Sequence, residues 1–212
     1  MSASATKKAV LYIFNTDLSY STEDRLKEAV FSFLCASSSE TTRDDTMLQI
    51  CRTSLGKPYL PHLSGIYVSA SHSGEYLLCA VSDTKIGVDI QRHERIKNET
   101  EDETNTRLQK LSKRFFHPKE AEFIAKQPWD RFFKVWTAKE SYVKYTGEGI
   151  TDNFMNFSIL PGDCRILSEE NDAKEFVRWS ASDVCFHQID FDQQHTVCVC
   201  TKELVNIHIC RL

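Results

Sequence analysis

The 212-residue chain has no excess of basic charge, no long apolar run, no C-x-x-C pair and no exact internal repeat. Thirty acidic against 26 basic residues leave a net charge of −4, which gives no general electrostatic case for binding nucleic acid or an anionic membrane. The apolar run after the first lysines, 9–14, is too short for a signal sequence or a membrane span, so a cytoplasmic location is expected. Without C-x-x-C spacing, the eight cysteines read as reduced thiols in apolar surroundings. Cys198 and Cys200 alternate onto one strand face near His195 and His208, but at no familiar zinc-ligand spacing.

What is present is a patterned α+β chain. Its length can bury a sizeable core, as one domain or as two small halves. A strand is expected over 9–14. A helix capped by Thr22 follows, with Leu26, Val30, Phe33 and Leu34 as its apolar stripe. A second helix is expected from about 44 to 53, ending at the Gly56-Lys57-Pro58 turn. Strands over 66–70, 76–82 and 85–91, separated by short polar turns, predict an antiparallel meander. The acidic stretch 95–106 reads as a mobile surface loop. Helices through Leu108–Phe115, from Pro118, and from a cap at Asp130 to Gly147 come next. Strands return over 154–160, 176–179, 184–189, 196–201 and 205–209. The order of helices followed by strands thus occurs twice, which predicts two related halves, 1–94 and 95–212.

Two segments carry charge where a reason is needed. Glu140 and Lys144 lie four residues apart, one turn beyond Trp136, and Gly147 and Gly149 follow. By spacing alone they are an exposed helix pair worth about 0.3–0.5 kcal/mol. Asp89 sits in the apolar run Ile86-Gly87-Val88-Asp89-Ile90, as a strand-end acid bonding to a turn or as part of a site. If Asp89 and Glu140 meet at about 4 Å, they repel by roughly 4 kcal/mol at an effective dielectric near 20. A divalent cation resolves that repulsion, and carboxylates without Cys or His favour Mg²⁺ or Mn²⁺ over zinc. Gln91 shares the strand face of Asp89 and can offer a neutral oxygen. The turn Ser71-His72-Ser73-Gly74 has small side chains and amides suited to a phosphate, or is an ordinary serine-rich hairpin.

Gly87-Val88-Asp89 followed by Trp136-x-x-Lys139-Glu140-Ser141-x-x-Lys144-x-x-Gly147-x-Gly149 resembles the signature of the 4′-phosphopantetheinyl transferases of the Sfp type. Gly56-Lys57-Pro58, Ser71-His72-Ser73-Gly74 and Lys113-Arg114-Phe115-Phe116 resemble further landmarks in the same order. The resemblance implies two similar α/β halves in pseudo-twofold arrangement, with the active site between them. It implies transfer of the 4′-phosphopantetheine arm of coenzyme A to a serine of an apo acyl or peptidyl carrier protein by a monomer. Asp89, Gln91 and Glu140 would be the Mg²⁺ ligands, with Mn²⁺ as a substitute. Glu140 would be the base, and Lys144 would act on the diphosphate and the leaving phosphate. Lys57, Pro58, Ser71, His72 and Lys144 would hold coenzyme A, and Lys110, Lys113, Arg114 and Lys119 would meet the carrier. Gln91 stands where the family often has an acid. The basic segment that grips coenzyme A in longer members has no clear match here, with Arg43, Arg52 or Lys57 as substitutes. Two rivals follow from the same residues: a non-catalytic protein that binds carriers or coenzyme A, and a metal-dependent diphosphate hydrolase.

Overall fold

The computed structural model describes residues 7–16, 19–36, 44–149, 152–160, 177–181 and 183–212. Four layers stack in the order helix, sheet, sheet, helix. The first sheet has the order β10-β1-β5-β4, built from Lys8–Asn15 (β1), Tyr67–Ser73 (β4), Tyr76–Ser82 (β5) and Asn206–Arg211 (β10). The second has the order β6-β9-β8-β7, from Ile86–Arg92 (β6), Val177–Ala181 (β7), Val184–Asp190 (β8) and His195–Thr201 (β9). Short strands Cys51–Arg52 (β2) and Pro58–Tyr59 (β3) pair separately.

Period-two alternation sorts side chains between layers. In β1 and β5, Tyr12, Phe14, Leu77, Cys79 and Val81 meet Leu26, Ala29, Val30 and Phe33 of α1 (Thr22–Cys35). Their alternate residues, Leu11, Ile13, Leu78 and Ala80, face Ile86, Val88, Ile90, Val197 and Val199 of the second sheet. On that sheet's other face, Cys198, Cys200 and Phe186 meet Val135, Ala138 and Val143 of α4 (Pro128–Thr146). Two further helices, α2 (Glu101–Phe115) and α3 (Pro118–Ala125), lead into α4.

Several expectations need correction. No helix spans 44–53: the Asp44 carboxylate accepts the Thr46 amide at 2.9 Å and closes a turn, and Cys51–Arg52 pairs with β3. The third strand does not complete a meander, because β6 pairs with β9 rather than β5 and is buried on both faces. The acidic stretch is only partly a loop. Thr100 and Glu103 form a reciprocal capping box, and Glu101, Asp102 and Glu103 sit in the first turn of α2, where the helix dipole favours negative charge. Ser21, not Thr22, caps α1 through Asp24. Pro128 starts α4 two residues before Asp130. Residues Asp152–Asn156 form a 3-10 turn instead of the start of a strand. Gly147 ends α4 as expected, with φ +83°.

Candidate active site

The site begins with a strand and a helix in backbone contact. A Cβ at Gly87 would stand 2.1 Å from the Ser141 carbonyl oxygen and 2.3 Å from the Tyr145 nitrogen, so only glycine lets β6 lie this close to α4. Because Val88 and Ile90 point into the inter-sheet core, Asp89 points to the opposite face, toward α4. On α4, Trp136, Glu140 and Lys144 recur one turn apart. Lys139, the neighbour of Glu140, is fully buried and donates to Glu120 at 2.8 Å and to the Phe157 carbonyl at 2.7 Å. Glu120 also accepts the Ile159 amide at 2.8 Å, so one buried ion pair fixes α4 to α3 and to the segment after it.

The serines of β4 fasten the other side of β6. Val88 N–H donates to Ser69 Oγ at 3.1 Å, and Arg92 N–H donates to Ser73 Oγ at 2.9 Å. Between them, Ser71 Oγ donates to Asp89 Oδ1 at 2.7 Å. The edges of the two sheets are thus joined by side chains rather than by a backbone ladder. Asp89 Oδ1 also accepts from Lys144 Nζ at 2.7 Å, and Lys144 Nζ lies 2.8 Å from Ser71 Oγ.

Two buried carboxylate oxygens next to this cluster have no hydrogen-bond partner: Asp89 Oδ2 and Glu140 Oε1. Burial and then the charge of Asp89 push the Glu140 carboxyl up to about 7, with Lys144 opposing. Burial also raises the Asp89 carboxyl, against the pull of Lys144 and Ser71. Buried unpaired carboxylate oxygens are costly, and this all-oxygen pair suits a hard divalent cation such as Mg²⁺. Cys198 and Cys200 are packed into the core against α4. Burial pushes the Cys198 thiol up to about 12 and the Cys200 thiol well above its usual range. Among the described residues no group of three or more His, Cys, Asp or Glu could hold a metal.

Glu140 and Lys144 open onto a cleft of about 340 Å³ that Arg52, Lys57, Pro58, Ser71 and His72 also line. His72 and Arg52 are exposed. Lys57 is not free: its ammonium donates to the carbonyls of Lys144, Tyr145 and Ile86 at 2.5, 2.6 and 3.4 Å. Gln91 lines a second cleft, of about 760 Å³, with Phe115, Phe116, Trp136, Phe154 and Met155. Its side-chain amide donates to the Arg92 carbonyl at 3.1 Å. Lys110, Lys113, Arg114 and Lys119 are exposed on α2 and α3, and Arg114 borders the second cleft. Arg43 and Cys164 lie outside the described residues.

The sequence profile of the 4′-phosphopantetheinyl transferase superfamily matches residues 85–200, a stretch that contains Asp89, Glu140 and Lys144. The chain belongs to this superfamily. It is 34% identical over 151 residues to a 4′-phosphopantetheinyl transferase of Bacillus subtilis, covering 68% of this chain and 59% of that protein. To 4′-phosphopantetheinyl transferase Sfp of Bacillus subtilis strain 168 it is 30% identical over 120 residues, 55% of this chain and 49% of that one. To 4′-phosphopantetheinyl transferase HetI of a Nostoc species it is 40% identical over 105 residues, 46% of this chain and 40% of the other. The chain therefore spans roughly half the length of these curated relatives.

Within this 4′-phosphopantetheinyl transferase-family chain, the structure brings Ser71, Asp89, Glu140 and Lys144 together and leaves Gln91 in the neighbouring cleft. Sequence reasoning missed the roles of Ser69 and Ser73, although the serine at every second position of 69–73 was a visible signal. It also missed the Lys139–Glu120 pair, whose partners are 19 residues apart and have no periodic signature.

Proposed function

We propose that the chain moves the 4′-phosphopantetheine arm of coenzyme A onto a serine of an apo acyl or peptidyl carrier protein. The observation that carries this reading is the pair of unpartnered buried oxygens, Asp89 Oδ2 and Glu140 Oε1, beside Lys144 at the end of a cleft lined by His72 and Arg52. Asp89 and Glu140 hold Mg²⁺, with Mn²⁺ as a substitute, and Gln91 contributes an oxygen from its own strand face. The metal, when bound, neutralises the diphosphate. His72, Ser71 and Lys144 meet coenzyme A phosphates. The Lys57–Pro58 backbone borders the nucleotide, with Arg52 as a further cation.

The carrier serine oxygen forms a bond to the pantetheine-side phosphorus. The bond from that phosphorus to the bridging oxygen breaks, and adenosine 3′,5′-bisphosphate leaves. Glu140 takes the serine proton as general base. Lys144 gives a proton to the leaving phosphate. The carrier approaches over α2 and α3, where the exposed Lys110, Lys113, Arg114 and Lys119 attract an acidic partner.

The two halves, 1–94 and 95–212, stand in pseudo-twofold relation with the site between them. One monomer in the cytoplasm completes that site. Support comes from two helix-on-sheet units, α1 on the first sheet and α4 on the second, which exchange one strand: β6 of the first half joins the second sheet and β10 of the second half joins the first. The test is to incubate the protein with coenzyme A, Mg²⁺ and a panel of apo carriers and weigh the carriers by mass spectrometry. A pantetheine mass gain on at least one carrier is expected, and no gain on any would overturn the reading.

A further inference from the structure

The last carbonyls of an α-helix lack intrahelical partners and form the negative end of its dipole. In α4 those carbonyls belong to the turn that carries Lys144. Gly147 N–H takes the Val143 carbonyl at 2.8 Å. The next two, of Lys144 and Tyr145, both receive Lys57 Nζ, at 2.5 and 2.6 Å. The same ammonium reaches the Ile86 carbonyl at 3.4 Å, on the strand that holds Asp89. Lys57 itself belongs to the turn before β3, 87 residues from Lys144. Its stem lies against Gly147, where a Cβ would come within 2.9 Å of Lys57 Cδ.

We propose that Lys57 is a positioning residue, which clasps the C-terminal end of α4 to β6 and so holds Lys144 in reach of Asp89, Ser71 and the cleft. Three diverging N–H donors on three carbonyls leave none for a ligand phosphate. A cation at a helix C-terminus is the favourable sign, and here one group stabilises the helix end and a strand together. The burial this requires lowers the Lys57 ammonium to about 8, helped by Lys85. Lys85 stacks 4.7 Å over the Tyr145 ring at the same helix end. The catalytic part of the inference rests on the transferase reading; the clasp itself does not.

The test compares wild type with Lys57→Met. In the ligand-free protein, hydrogen exchange at the amides of 145–149 is expected to quicken tenfold or more, a result independent of any activity. With coenzyme A and Mg²⁺, carrier modification is expected to slow at least tenfold in kcat, and coenzyme A affinity to fall in Lys57→Met but no further when Lys57→Met is added to Lys144→Met, because Lys57 acts through Lys144. Unchanged exchange at 145–149, an unchanged kcat, or a further tenfold loss of coenzyme A affinity on adding Lys57→Met to Lys144→Met would each overturn the proposal. If Lys57→Met does not fold, Lys57→Arg keeps the charge but replaces three diverging donors by a planar fork. It is expected to show quickened exchange at 145–149 and a lowered kcat, and wild-type values of both overturn the assignment. A wild-type protein that modifies no carrier removes the transferase reading, while the exchange result still decides the clasp.

Discussion

Lys144 Nζ lies 2.7 Å from Asp89 Oδ1, and the Ser71 hydroxyl bonds the same oxygen, so one carboxylate oxygen is held by a cation and a hydroxyl while its twin, Oδ2, is unpartnered. The pair couples the strand to the helix, and its removal should be felt by both. Lys144→Met leaves Asp89 buried with only a hydroxyl and is expected to destabilise the protein by about 1–3 kcal/mol in urea titrations. Lys144 is 29% exposed in its side chain, which keeps the cost below that of a fully buried pair. Asp89→Asn in the same chain should recover part of the loss, because it removes the stranded charge. Additive losses in the double mutant would argue against the coupling.

Glu140 sets a pH dependence whose sign follows from its raised carboxyl. The folded value is about 7 against an ordinary 4.5, so the folded state holds the proton more tightly than the unfolded chain. This contribution to stability is complete below pH 4.5 and is lost as pH rises through 7. The ligand-free protein should therefore lose up to about 3 kcal/mol from this group between pH 4.5 and pH 8. Glu140→Gln should remove that slope and raise Tm at pH 8. Thermal scans of both proteins across this range decide it, and a mutant with the wild-type slope would exclude Glu140 as its source.

Mg²⁺ should reverse the penalty. At about one hundred times its Kd, a bound ion adds about 2.7 kcal/mol. The rise in Tm with Mg²⁺ should be absent in Asp89→Asn and in Glu140→Gln, and reduced in Gln91→Ala. An equal Mg²⁺ effect in all four proteins would place the ion elsewhere.

Gly87→Ala tests the backbone contact between β6 and α4. The new Cβ meets backbone atoms rather than a flexible side chain, so the helix must move or the strand must bend. A loss of about 3–5 kcal/mol and of all transfer activity is expected. Gly149→Ala is the control: open space surrounds it, and its φ of +75° should cost only about 1 kcal/mol. Equal denaturation midpoints for the two variants would show that the close approach is not required.

Much of this was legible in the residues. The i, i+4 recurrence of Trp136, Glu140 and Lys144 and the glycine after them marked the helix, its face and its end. Strand β5 is found at 76–82, as expected between its flanking turns. What escaped was pairing between distant segments. Nothing near 85–91 says that the strand will leave its neighbour for β9, because a strand buried on both faces takes whatever partner the topology supplies. The acidic run at 101–103 was read by composition, whereas the capping box of Thr100 and Glu103 was the stronger local signal. Lys57 looked like a ligand cation because sequence shows a charge but not the carbonyls around it.

The placement of β10 has a consequence for how the chain reaches this structure. Lys8 pairs with Asn206 and Ile13 with Arg211 in parallel register, so β1 takes one of its two neighbours from a strand much later in the sequence. On the ribosome, β1, β4 and β5 can assemble with α1, but one flank of β1 stays open until β10 has emerged. Contacts of such sequence separation slow folding and lengthen the exposure of unpaired strand. Removal of 206–211 should therefore harm yield and solubility more than its six mostly exposed or half-buried residues would suggest.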